Sequence, residues 1–198
     1  MFTALYDAVT ERLAQGGRVV VGIAGPPGAG KSTLARELQH SYERAVCVPM
    51  DGFHLANEEL RRLGRSDRKG APDTFDDKGY VALLRRIRQQ PDEVIYAPSF
   101  DHVMNEPIAG SIPVFPDARL IITEGNYLLY WADARALLDL TVHIDVASQE
   151  QRIAGLIARQ REKGLTPDAA REWVMRSDEA NADLVKRYAH LADLRLTR

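Results

Sequence analysis

The chain has 198 residues, enough for one α/β domain with a sizeable core. Its 26 Lys and Arg against 28 Asp and Glu leave a formal charge of −2, so no global positive field recruits nucleic acid and basic clusters must be judged locally. A single cysteine, Cys47, excludes an internal disulfide. Asp7, Glu11 and Arg12 argue against a signal peptide, and no apolar run approaches the roughly 20 residues of a membrane span, so a cytoplasmic protein without membrane insertion is expected.

In chain order, Leu5, Ala8, Val9, Arg12 and Leu13 recur at helical spacing over 3–15 and stop at Gly16-Gly17, which predicts a leading helix. Val19 to Ala24 is an unbroken apolar run, the pattern of a central parallel strand. It enters Gly25-Pro26-Pro27-Gly28-Ala29-Gly30-Lys31-Ser32, which fits G-x-x-x-x-G-K-[ST] at every fixed position, and a helical pattern follows from Ser32 to Tyr42. A second strand, Ala45 to Pro49, ends on Met50-Asp51-Gly52. Residues 57–64 read as a short polar helix, 65–73 as a basic stretch of turns, and 77–88 as an amphipathic helix with Val81, Leu84 and Ile87 on one face. Short strands are predicted at 94–97 and 112–115, flanking a loop from Pro98 to Gly110 of the kind that holds substrates.

Leu120 to Thr123 is another buried strand and leads into Glu124-Gly125-Asn126. A helix over 132–138, a strand over 140–144, an arginine-rich helix over 149–162 broken at Gly164, a long helix from Pro167 to about His190, and an edge strand over 193–197 complete the pattern. Strand and helix alternate, so the expected fold is an α/β P-loop NTPase, a doubly wound parallel sheet flanked by helices, in one domain over 1–198. The flap occupies about 94–115 and a helical lid about 152–170. Ligands of such a sheet bind at the carboxyl ends of its strands.

The glycine-rich loop states the chemistry. A triphosphate needs several N–H donors converging on one anion, and glycines at 25, 28 and 30 let the backbone approach its oxygens. The expected nucleotide-binding set is Gly25, Gly28, Ala29, Gly30, Lys31, Ser32 and Thr33, with the Lys31 ammonium reaching the outer phosphates and the Ser32 hydroxyl ligating Mg²⁺. Glu124 ends an apolar strand and is the candidate second carboxylate of the Mg²⁺ shell. Asp51 ends another strand on the same edge and is the candidate general base for an acceptor hydroxyl.

Arg152, Arg159, Arg161 and Lys163 belong to the lid. Residues 152 and 159 are seven apart and share a face, and Arg159 is the cation assigned to the phosphates. His54 and His102 fall in substrate loops, whereas His40, His143 and His190 read as structural. The cluster Arg61, Arg62, Arg65, Arg68 and Lys69 reads mainly as solvated surface. No Asn-Lys-x-Asp guanine reader is present, which argues against a GTPase switch.

The ordered motifs are the phosphate loop, Asp51-Gly52-Phe53, Lys69-Gly70-x-Pro72, Phe75-Asp76, Pro98-x-Phe100-Asp101, Phe115-Pro116, Glu124-Gly125-Asn126 and Lys163-Gly164. Over about residues 18–165 this series resembles the P-loop kinases of the uridine kinase, phosphoribulokinase and pantothenate kinase group. It is most similar to bacterial chains labelled nucleoside/nucleotide kinase or fructose transport system kinase. The resemblance implies ATP and Mg²⁺, Asp51 as base, and a small-molecule hydroxyl as acceptor, contacted by Asp51, His54, Lys69, Phe100, His102 and Asn126.

The pattern differs from uridine kinases at Lys69-Gly70, where they carry Phe-Asp, and at Phe100 and Asn105, where they carry Tyr and His. Pantothenate kinases share Asn57 and Lys69-Gly70-x-Pro72, but place Tyr-Ser-His where Phe100-Asp101-His102 stands. A sugar, polyol, nucleoside-like or pantothenate-like alcohol is the expected acceptor, and a homodimer is compatible with the reading. The alternatives are a pantothenate or uridine kinase proper, or a regulatory NTPase associated with a sugar transport system.

Overall fold

The computed structural model describes residues 2–89 and 92–198. Its elements in chain order are α1 (Thr3–Ala14), β1 (Val19–Ala24), α2 (Lys31–Ser41), β2 (Ala45–Cys47), α3 (Asn57–Arg62), α4 (Asp77–Arg88), β3 (Ile95–Asp101), β4 (Glu106–Val114), β5 (Leu120–Gly125), α5 (Ala132–Arg135), β6 (Leu140–Asp145), α6 (Gln149–Glu162), α7 (Pro167–Trp173), α8 (Glu179–Tyr188) and β7 (Leu194–Thr197).

Five of the strands form one parallel sheet in the order β2-β5-β1-β6-β7. Helices cover both faces, so the inner strands must be apolar on both sides, and every residue of β1 and β5 is buried. The alternation of side chains sorts β1 between two cores. Val20 and Ala24 join Tyr80 and Leu84 of α4, Ala134 of α5 and Val185 of α8. Val19, Val21 and Ile23 join Leu5 and Val9 of α1 and Leu34 and Leu38 of α2. Because the strands are parallel, the segments leaving β1, β2 and β5 emerge at one edge.

The remaining two strands, β3 and β4, form a separate antiparallel ribbon. This corrects the expected loop from Pro98 to Gly110: strand extends to Asp101 and resumes at Glu106, and only 102–105 form the turn, with Asn105 left-handed at φ 55°. Pro98 and Pro107 hide the inner half of the strand pattern, while Pro113 falls within the strand expected at 112–115. A two-stranded ribbon tolerates them because each strand is an edge, and the ladder slips between Ala97 and Ser99.

Two further expectations are corrected. The helix over 132–138 stops at Arg135, since Leu137 and Leu138 bond back only three residues, to Ala134 and Arg135, before β6 starts. The last long helix is interrupted by a π-turn, Val174–Asp178, between α7 and α8. Among the described residues, no helix is long and apolar enough to cross a membrane.

Candidate active site

The loop between β1 and α2 turns on Gly28 and Gly30, both left-handed at φ 77° and 83°. Gly30 caps α2, so the free amide groups of the first helical turn point out of the loop, where an anion is favoured. Ala29 is buried and its N–H closes the loop onto the Pro26 carbonyl at 3.1 Å. Gly25 is buried against β6; a Cβ there would lie 3.1 Å from the Ile144 carbonyl.

Lys31 is buried although it opens a helix. Its ammonium folds back into the loop and donates to the Pro26 carbonyl at 3.0 Å and to Asn126 Oδ1 at 2.8 Å. Burial pushes its pKa down, while the negative charges of Glu124 and Asp51 oppose that shift. Ser32 donates from Oγ to Glu124 Oε1 at 2.9 Å, and Thr33 stands exposed beside it. Glu124 is buried, and burial first, then Asp51, raise its pKa. A hydroxyl and a carboxylate in direct contact form an oxygen donor pair suited to a small hard cation.

Asp51 sits half-buried in the 3-10 turn Met50–Phe53 that follows β2. The turn is wedged between two elements. A Cβ on Gly52 would lie 2.4 Å from the Pro98 carbonyl oxygen of β3, and one on Gly125 would lie 2.5 Å from Met50 Cβ. These two glycines therefore fix where Asp51 stands.

The His54 ring lies between Phe75 and Phe100, with centroids 4.0 and 4.6 Å away. Its Nδ1 is 2.8 Å from the Asp51 carbonyl oxygen, which can only accept, so Nδ1 carries the proton. Burial lowers the His54 pKa, with Asp51 opposing. His102 is exposed at the ribbon turn and contacts Phe100 at 5.3 Å. Lys69 donates at 2.5 Å to both Asn57 Oδ1 and the Asn105 carbonyl, and lies over the Phe100 ring at 5.3 Å. Its charge is thus committed to joining the 65–73 stretch to the ribbon.

Arg159 is exposed, and among the described residues its side chain makes no hydrogen bond, yet its charge acts on Lys31, Glu124 and His102. Arg152 differs from a mobile lid cation. It is buried, donates to the Pro27 carbonyl at 3.0 Å, pairs with Glu179 of α8, and packs on Gly28, where a Cβ would meet its Cγ at 3.1 Å. Arg62 pairs with Glu59, and Arg65 and Arg68 pair with Asp73, all near the surface.

Three groups at the cleft carry no motif in the sequence. Tyr127 donates to the Gly70 carbonyl at 2.5 Å, Asn181 of α8 donates to the same oxygen at 3.3 Å, and Glu179 holds Arg152. Only Tyr127 offers a signal, as the residue after Glu124-Gly125-Asn126.

The phosphoribulokinase / uridine kinase family profile matches residues 20–198 of the chain. "Putative uridine kinase C227.14" of Schizosaccharomyces pombe is 36% identical, covering 94% of this chain and 86% of that one. A pantothenate kinase of Leifsonia xyli is 31% identical over 73% of this chain, which spans about half (48%) of that protein. The crystal structure of a "putative fructose transport system kinase" from Silicibacter superposes with a TM-score of 0.89 at 38% identity, covering 98% of each chain.

Proposed function

The chain belongs to the phosphoribulokinase / uridine kinase family, a group of small-molecule kinases, and we propose that it transfers the γ-phosphoryl group of Mg²⁺-bound ATP to a hydroxyl of a small metabolite. The reading is that of one domain working in the cytoplasm. The observation that carries it is the convergence at one sheet edge of Lys31, the Ser32–Glu124 pair and Asp51, whose charge acts on both Lys31 and Glu124.

Each residue has a role. The loop amides and Lys31 hold the outer phosphates, and Lys31 exchanges its present contacts with Pro26 and Asn126 for phosphate oxygens. Ser32 and Glu124 would hold the cation, which would supply charge neutralisation at the phosphates. Asp51 accepts the proton of the acceptor hydroxyl, and the two glycine contacts keep its turn in place for that step. Arg159 brings positive charge to the migrating group from the lid.

On the acceptor side, the mutually tilted rings of His54, Phe75 and Phe100 give an aromatic wall. The His54 Nε2, with no proton of its own while the ring is neutral, accepts a hydrogen bond from the acceptor. Asn126 and His102 complete the polar lining. This combination suits a sugar, polyol or related alcohol.

An ADP-release assay with Mg²⁺-ATP tests the reading against a panel of nucleosides, pantothenate, fructose and other sugars, polyols and glycerate, with Asp51→Asn as control. One acceptor should stimulate release, and the variant should lose about 10²–10⁴-fold of that stimulated rate while still binding ATP. Stimulated turnover that survives in Asp51→Asn removes Asp51 as base. Hydrolysis that ignores every acceptor instead favours a regulatory NTPase.

A further inference from the structure

The π-turn Val174–Asp178 joins α7 to α8, with Trp173 and Glu179 on either side in right-handed helical conformation. Such a turn inserts an extra residue into the helical ladder, re-aims the side chains around it, and is frequently found at functional sites. Here it delivers Asp178 next to the lid. The Asp178 Oδ2 is enclosed and lacks a hydrogen-bond partner among the described residues. An orphaned carboxylate oxygen is costly unless another state of the molecule satisfies it.

The charges facing Asp178 are Arg159, Arg152 and Lys163 from α6 and its end, and Glu179 beside it. Arg152 is already engaged by Pro27 and Glu179. Arg159 and Lys163 make no side-chain hydrogen bond among the described residues. Arg159 also shares a helix face with Arg152, about 10 Å further along the axis. Adjacent acids at the start of α8 thus lie within the field of two arginines of one α6 face, and among the described residues only the Glu179–Arg152 rung is formed.

We propose that Asp178 is a positioning residue for the lid: on closure its free oxygen accepts a hydrogen bond from Arg159 and holds the guanidinium toward the γ-phosphate. Lys163, at the end of α6, is the second unpaired cation whose charge acts on Asp178 among the described residues. The inference rests on the assignment of Arg159 to the phosphates.

The test needs no acceptor. Affinities for Mg²⁺-ATP and Mg²⁺-ADP are measured by calorimetry for the unaltered protein, Arg159→Gln, Asp178→Asn and the double variant. A cation on the γ-phosphate matters for ATP alone, so each single change should weaken ATP about tenfold and leave ADP unaltered, and the double variant should be no worse than the weaker single one. If Asp178→Asn weakens ATP and ADP alike, or adds its full loss to that of Arg159→Gln, the inference is overturned while Arg159 keeps its role. Unaltered ATP affinity in Arg159→Gln removes Arg159 itself, and the inference with it. Should Asp178→Asn fail to fold, Asp178→Glu is the second variant: it should keep the preference for ATP over ADP, and loss of that preference overturns the inference.

Discussion

The two sides of the cleft are built in different ways. The nucleotide side is nearly local: eight consecutive residues make the loop, and one carboxylate comes from the next strand in the sheet. The proposed acceptor side is assembled from the turn after β2, the 65–75 stretch, the β3–β4 ribbon and α8, held by contacts such as Lys69 to Asn105 and Asn181 to Gly70. Substitutions outside the cleft should therefore alter acceptor use while sparing nucleotide binding.

The sharpest way to break this contrast is at the loop itself. Lys31→Ala should lower phosphoryl transfer by at least about a hundredfold and weaken ATP binding, read by turnover and calorimetry. Normal turnover would show that the loop is not the nucleotide side. Gly52→Val comes next, because even the first carbon of its side chain would overlap the Pro98 carbonyl. It should cost about 1–3 kcal/mol in urea unfolding and raise KM for the acceptor more than for ATP. A parallel rise in both would join the two sides into one unit.

Tyr127→Phe removes one of the two donors to the Gly70 carbonyl. The expected loss is about 1 kcal/mol of stability, with KM raised for the acceptor only. An unchanged acceptor KM would mean that the 65–75 stretch holds its place without this tie.

The smallest effect lies beneath the nucleotide side. His143 is buried, its Nδ1 lies 3.3 Å from Asp145 Oδ1 outside good hydrogen-bond geometry, its Nε2 has no partner among the described residues, and burial lowers its pKa against the opposing charge of Asp145. Above the ordinary histidine value of about 6.5 the ring is neutral folded and unfolded, and its contribution is complete. As pH falls through that value toward the depressed folded one, the unfolded chain takes up a proton that the folded ring resists, and stability is lost. His143→Gln should flatten that part of a Tm–pH curve, measured by calorimetric scans from pH 7 to about 5. His54 and His102 shift in the same direction and leave a residual slope. An unchanged curve would assign the whole slope to them.

How much of this was readable beforehand follows the same division. The apolar runs of β1 and β5 announce strands buried on both faces, and the loop between β1 and α2 is a contiguous pattern with one geometric meaning. Asp51 and Glu124 are legible as neighbours because both lie toward the carboxyl ends of strands of a parallel sheet, which share one edge, although β2 stops at Cys47, short of the expected Pro49, and Asp51 stands in the turn beyond it. The outer ends of the ribbon, 94–97 and 112–115, are legible, whereas its extension to Asp101 and from Glu106 is hidden, since prolines mimic loop signals wherever a strand needs only one partner. Arg152 looks in sequence like Arg159; only packing shows that one is buried on Pro27 and the other left free. The π-turn has no local signature, because it depends on what α7 and α8 pack against.

The order of strands in the sheet has a consequence for how the chain is made. β1 lies between β5 and β6, so the segment that starts the nucleotide site gains its two neighbours only after residue 145 has been synthesised. At ribosomal speed that is roughly 6–24 s during which the six residues Val19–Ala24 lack at least one of their two native edge partners. Synthesis rate and chaperone supply should therefore govern the yield of active protein more strongly than its final stability does, with mispaired β1 as the first trap.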